Sequence, residues 1–261
     1  MKKSLPTTRR RLLTATTLLS SSFLSACSKV AETSWFTSLL GVGEVLNKSI
    51  HKGLGGRTSL AQEFSEADLS PTFKGNGTTN PSGAEYQQHA SASFNDWQLR
   101  VDGLVEKPTD FSMAQLKTLA SRTQITRHDC VEGWSAIGKW KGVPLASILA
   151  QVTPKADARY VVFHCADTFP GRQSAVPVPY YESIDLDDAF HVQTILAYDL
   201  NDKALPIKNG APLRLRVERQ LGYKQAKYIQ RIELVSSFEN IGKGKGGFWE
   251  DRSGYQWYAG I

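Results

Sequence analysis

Cysteine is scarce in this chain: 261 residues contain three, Cys27, Cys130 and Cys165. No two sit at zinc-type spacing, and no glycine-rich phosphate loop, haem motif or flavin motif is present. Zinc modules, P-loop enzymes and self-sufficient haem or flavin carriers are thereby excluded. Internal repeats are absent too. So is any apolar run of the about 20 residues needed to span a bilayer, because the longest, Leu12 to Phe23, is too short.

The basic balance has a local origin. Formal charge is +6, but Lys2, Lys3, Arg9, Arg10 and Arg11 supply five of those charges, and no acid precedes Cys27. The chain beyond Cys27 carries +1, so nucleic-acid binding has no electrostatic basis. Residues 1–27 read as an export signal. Thr8-Arg9-Arg10-Arg11-Leu12-Leu13 places twin arginines before the apolar run, and Leu24-Ser25-Ala26-Cys27 reads as a lipobox. A periplasmic protein, exported folded and tethered to a membrane surface through lipidated Cys27, is the expectation. An ordinary signal with a chance cysteine is the bland alternative.

Residues 28–72 read as a tether. Trp35, Phe36, Leu39, Leu40 and Leu46 recur at roughly helical spacing, which predicts an amphipathic helix over about 33–48 that lies on a membrane or packs on the domain. Residues 73–261 form one domain with a real core, since the apolar content is 41%. Residues 74–83 read as a long loop. Strands are predicted at 97–101, 124–130, 159–166, 194–200, 213–217 and 228–235. Helices are predicted from an Asp110 or Ser112 cap to Leu119, over 145–152 behind Pro144, and over 185–190. The mixture predicts an α+β fold with mixed sheets and short helices. Leu213-Arg214-Leu215-Arg216-Val217 alternates with period two, which predicts an apolar core face and a charged outer face.

Cys130 is the leading chemical candidate. It ends a predicted strand in Arg127-His128-Asp129-Cys130-Val131-Glu132-Gly133-Trp134-Ser135. Cationic neighbours at Arg127 and His128 would favour its thiolate. One thiolate holds a metal only when other ligands complete the shell, and no protein cluster lies nearby at ligand spacing. A cysteine nucleophile with His128 as base is the rival, but no orienting third group is evident. A second block, Asn209-Gly210-Ala211-Pro212-Leu213-Arg214 followed by Gly222-Tyr223-Lys224-Gln225-Ala226-Lys227, combines a tight glycine turn with basic donors. That chemistry suits a phosphate, although a solvated hairpin would look similar.

Together these blocks resemble the sulfite oxidase superfamily, over roughly residues 70–261. The likeness is greatest to the branch typified by catalytic subunits of periplasmic methionine sulfoxide reductase, with Cys-Val-Glu-Ala-Trp-Ser and Asn-Gly-Ala-Pro-hydrophobic-Arg motifs. The resemblance implies a molybdopterin-binding domain holding molybdenum-molybdopterin. Cys130 would be the metal thiolate and catalytic ligand. Asn209, Arg214, Gln225, Ala226 and Lys227 would hold the cofactor, with Asn76, Thr79 and Asn80 from the preceding loop and Cys165 where the reductase has a threonine. It implies two-electron oxygen-atom transfer of the sulfoxide-reducing kind on a small-molecule substrate, with electrons from a haem-containing membrane or cytochrome partner. Sulfite-dehydrogenase-type oxidation is an alternative. So is a non-catalytic lipoprotein binding module with a Cys130–Cys165 disulfide. Three departures stand out: Asp129 replaces a basic residue, which should alter substrate charge preference; Cys165 replaces the threonine; and Ala-Gly-Asn-Arg does not follow Cys130. No immunoglobulin-like dimerisation domain is expected. Glu132 and Trp134 are expected to shape the turn, His164 to be a satisfied structural histidine, and the aromatic tail beyond Gly242 to pack back onto the domain.

Overall fold

Leu145, Ile148, Leu149 and Val152 recur at i, i+3, i+4 and i+7, and all four are fully buried along one helix, Leu145–Val152. Each contributes about 1.5–3 kcal/mol of burial. Pro144 precedes the helix and Thr153 ends it in the left-handed region. The computed structural model describes residues 58–171 and 176–261 continuously, with scattered residues between 33 and 53. Two units result, Met1–Leu54 and Gly55–Ile261. In the first, the described Trp35, Phe36, Val42, Leu46 and Ile50 are helical. Gly43 is helical too and Thr33 forms a bend; the remaining residues of the predicted 33–48 helix and all of residues 1–27 lie outside the described residues. No helix among those described is long and apolar enough to cross a membrane.

Among the described residues, the second unit contains helices α1 (Ala84–Ser91), α2 (Met113–Thr118), α3 (Leu145–Val152), α4 (Leu186–Ala189) and α5 (Phe248–Ser253). Its strands are β1 (Gln98–Gly103), β2 (Thr109–Ser112), β3 (Arg122–Asp129), β4 (Ser135–Pro144) and β5 (Tyr160–Phe169), then β6 (Val178–Asp185), β7 (Ile195–Leu200), β8 (Lys203–Ala204), β9 (Arg214–Arg216) and β10 (Ile229–Val235). One sheet runs β2-β1-β10-β5-β6 and is mixed, because β1 and β10 are parallel. The other runs β3-β4-β7-β8 with β9 on β7, all antiparallel. The α+β expectation with mixed sheets and short helices holds.

Local signals account for several elements. Ser112 caps α2 in a capping box with Gln115, and the Asp185 side chain accepts from the Asp188 amide to start α4. The main core joins both sheets through residues such as Leu99, Phe163, Leu196, Leu215 and Ile232. A smaller cluster around Phe73, Trp140 and Leu205 lies under the second sheet.

Residues before 73 also bond to the second sheet and the segment leading into β7. Phe64 N donates to Ile125 O at 2.8 Å, Ser70 N to Ile137 O at 3.1 Å, and Gln193 Nε2 to Ala61 O at 3.0 Å. Residues 61–73 therefore line the second sheet, although the sequence shows there neither a helical nor an alternating pattern. Residues 74–83 are irregular, as expected.

Candidate active site

The β3–β4 hairpin fixes Cys130. Asp129 pairs with Ser135, so residues 130–134 form the hairpin loop, closed by Cys130 N donating to Trp134 O at 2.9 Å and Gly133 N to Cys130 O at 3.0 Å. Trp134 Nε1 donates to Glu132 at 3.2 Å, which matches the turn-shaping role expected of both residues. The half-buried thiol opens onto a cavity of about 160 Å3. Asn76 Nδ2 lies 3.4 Å from Cys130 Sγ and donates to it.

The second motif block also contributes to the cavity lining. Gly210 takes φ 118°, a left-handed conformation that a side chain would oppose, and turns the chain from Asn209 into β9. Arg214 Nη1 donates to Asn209 O at 3.0 Å, and its guanidinium lies 5.3 Å from the Trp140 ring. Lys227 Nζ donates to Asn76 O at 2.6 Å and also to Thr78 O, so it pins the 76–78 loop beside Cys130. Gly222 packs against the His128 ring, where a Cβ would lie 2.5 Å from its Cε1 and Nε2. Cys130, Asn76, Arg214, Gln225 and Lys227 thus meet at one cavity.

Other predicted residues stand elsewhere. Thr79 and Asn80 do not line the cavity, whereas Gly77 and Thr78 do; Asn80 accepts from Gln87 instead. Asn209 is buried behind Arg214, and Ala226 is a core residue whose carbonyl accepts from Leu215 N. Cys165 is also in the core, outside the cavity lining, with its thiol directed at Phe163 O 3.8 Å away. Cys130 and Cys165 are both free thiols, so the disulfide alternative is not realised.

The expected outer charged face of β9 is a correction. Arg214 is 5% exposed and Arg216 is 0% exposed. Both faces of this strand are covered, so period-two alternation here separates core from site rather than core from solvent. Arg216 pairs with buried Glu218 and donates to His128 Nδ1 at 3.1 Å. The Asp129 carboxylate binds Arg127 and Ser135 and does not line the cavity. His164, on an interior strand, pairs with Glu233 at 2.8 Å and is a satisfied structural histidine.

Electrostatics revise the thiolate argument as well. Arg127 faces solvent in its pair with Asp129. Burial, followed by Arg214 and Arg216, lowers the pKa of His128 well below its usual value. His128 is therefore neutral, accepts at Nδ1 from Arg216, and has no hydrogen bond to Cys130 that would make it a base. Burial is also the main influence on Cys130, pushing the thiol up; Lys74 and Arg214 are the cations that oppose this. Burial and Arg216 bring Arg214 down to about 9, while burial and Arg214 bring Lys227 down to about 7. Asp167, raised to about 6 by burial, is the acid facing Lys227.

Sequence reasoning missed Asp167, Phe169, Tyr180, Trp249 and Tyr255, all of which line the cavity. They come from the ends of β5 and β6 and from the tail, with no shared motif. The only advance signal was the aromatic richness of residues 248–258.

A family model for the oxidoreductase molybdopterin binding domain matches residues 86–240. The chain belongs to that family. It is a molybdopterin-binding oxidoreductase, and the likeness to methionine sulfoxide reductase catalytic subunits holds in the curated relatives. A protein of Azospira oryzae, named provisionally as protein-methionine-sulfoxide reductase subunit YedZ1, is 36% identical over 256 residues, 98% of this chain and 88% of the relative. The protein-methionine-sulfoxide reductase catalytic subunit MsrP of Xanthomonas axonopodis pv. citri is 40% identical over 166 residues, 62% of this chain. That match spans 50% of the relative's own length. Among solved structures, the sulfane dehydrogenase SoxCD of Paracoccus pantotrophus aligns with a TM-score of 0.47 and 22% identity, over 55% of this chain and 39% of that one.

The residues present fit such a cofactor. Asn209 Nδ2 and Arg214 Nε are buried donors without a partner, each costing about 1–3 kcal/mol unless an acceptor arrives. Arg214 and Lys227 face the same cavity, and a dianionic phosphate matches both the charge and the donors. Among the described residues no group of three or more His, Cys, Asp or Glu forms a metal cluster. A metal on Cys130 would therefore take its remaining ligands from the cofactor.

Proposed function

We propose that this protein is a periplasmic molybdenum-molybdopterin enzyme that reduces sulfoxides. One observation carries the reading: the Cys130 thiol, held by Asn76, shares a cavity with buried Arg214 and half-buried Lys227, two basic groups that together suit an anionic ligand. Cys130 would supply the metal thiolate, and Arg214 and Lys227 would hold the pterin phosphate, with Asn209 behind Arg214. The bound cofactor supplies two-electron oxygen-atom exchange. In the balanced reaction a sulfoxide takes up two protons and two electrons and yields the thioether and water. The sulfur–oxygen bond breaks, sulfur is reduced, and a haem-containing membrane or cytochrome partner is the electron donor. Cofactor loading in the cytoplasm suits the twin arginines at Arg9 and Arg10, and acylation at Cys27 would hold the enzyme at the membrane.

Metal and pterin analysis of protein exported by its native host, followed by a screen of sulfoxides, N-oxides and sulfite with a redox dye, tests the reading. Stoichiometric molybdenum and pterin with sulfoxide reduction support it. Absence of either component, or sulfite oxidation without sulfoxide reduction, refutes it.

A further inference from the structure

The family match ends at residue 240, yet the segment beyond it builds part of the cavity. α5 and the residues after it carry Trp249 and Tyr255, whose rings stack at 26° with centroids 5.9 Å apart. Tyr255 meets Tyr223 edge-on at 5.1 Å, and Trp249 meets Phe169 at 5.8 Å. These rings line the same cavity as Cys130, Arg214 and Lys227.

The segment is firmly placed. Lys224, fully buried beside Tyr223, pairs with Glu250 of α5 at 2.8 Å and with Glu182 of β6. Trp257 Nε1 donates to Ser183 Oγ at 2.9 Å, Tyr223 Oη to Gln256 O at 2.6 Å, and Leu221 N to Ala259 O at 2.9 Å. Removing either partner of a buried ion pair is strongly unfavourable, so the rings are held rather than draped.

The two walls differ in chemistry. One presents basic and amide groups to an anion; the other presents π-faces and ring edges. Aromatic rings recognise apolar groups by burial and polarisable sulfur by edge contacts. Resting on the sulfoxide-reductase reading above, we propose that Trp249, Tyr255 and Tyr223 form the wall that selects sulfoxides bearing an apolar or aromatic arm over small ones.

The test compares methyl phenyl sulfoxide with dimethyl sulfoxide as substrates of the molybdenum-loaded holoenzyme, in wild type, Trp249→Ala, Trp249→Phe and Tyr255→Ala. Tyr255 is 37% exposed, so its variant tests the wall even where Trp249→Ala fails to fold. Trp249→Ala is expected to lower the kcat/KM ratio of aryl to dimethyl substrate roughly tenfold, mainly through KM, as loss of uniform binding does. Tyr255→Ala should lower it roughly threefold, and Trp249→Phe should recover most of the ratio. Equilibrium binding of methyl phenyl sulfoxide to the oxidised holoenzyme should weaken in the same order. A ratio unchanged within about twofold in loaded variants overturns the wall. So does an equal kcat loss on both substrates, the mark of a structural role. A wild type that reduces neither sulfoxide overturns the reductase reading, and the wall with it.

Discussion

Arg214 should change the stability of the empty protein and the retention of its cofactor in opposite directions. Burial, and then Arg216, brings its pKa down from the usual guanidinium range to about 9. That fall corresponds to about 5 kcal/mol against the charged form in the folded state. Opposing it are one hydrogen bond to Asn209 O, about 1 kcal/mol, and stacking on Trp140 and Phe73, about 1–2 kcal/mol. Replacement by methionine, similar in length and uncharged, should therefore stabilise the cofactor-free protein by about 1–3 kcal/mol. For a domain of this size that is a Tm rise of roughly 3–8 °C, read by calorimetry. Loaded protein should behave in the opposite sense. Losing a charge-assisted hydrogen bond to phosphate removes about 1.5–3 kcal/mol of binding, a ten- to hundredfold loss of pterin and molybdenum retention. Arg214→Lys should recover part of it, because the charge remains but the planar fork does not. A lower Tm of cofactor-free Arg214→Met, together with full molybdenum and pterin content, would refute the reasoning and make the guanidinium a structural group.

Asp167 has a folded-state pKa near 6, above its ordinary 3.8, so the stability conferred by its proton is complete below pH 3.8 and is lost as pH rises through about 6. Asp167→Asn should gain up to about 3 kcal/mol over wild type above pH 6 and little near pH 4, by urea denaturation of the cofactor-free protein; a pH-independent difference contradicts this. In Gly222→Ala the new methyl meets a His128 ring held by Arg216 and Trp134, so unfolding free energy should drop by about 1–3 kcal/mol. A change below about 0.5 kcal/mol would mean that the ring moves aside. Cys130→Ser should abolish sulfoxide reduction and change the molybdenum electron-spin signal with little change in Tm, and an unaltered signal would remove Cys130 from the metal. Cys27→Ala should shift the protein from membrane to soluble fractions, and undiminished membrane recovery rules out the acyl anchor.

Local chemistry determined much of this protein. Ser112 and Asp185 cap their helices with their own side chains, and α3 follows from four apolar residues at helical spacing. The motif blocks around Cys130 and Arg214 announced the family because one cofactor needs a thiolate and anion donors wherever the chain supplies them. Strand β4 escaped notice because its buried face includes Ala136 and Gly138 as well as Trp140 and so lacks an apolar alternation. Strand β6 escaped because it buries Glu182 and Ser183, polar residues whose side-chain partners, Lys224, Gly246 and Trp257, come from elsewhere in the chain. For the same reason Arg214 looked solvent-facing: alternation reports two faces of a strand, not what covers the second. Tertiary structure decided that. It brought the 76–78 loop, the end of β5, Tyr180 and the tail rings around one cavity, contacts between segments up to 151 residues apart that no local pattern encodes.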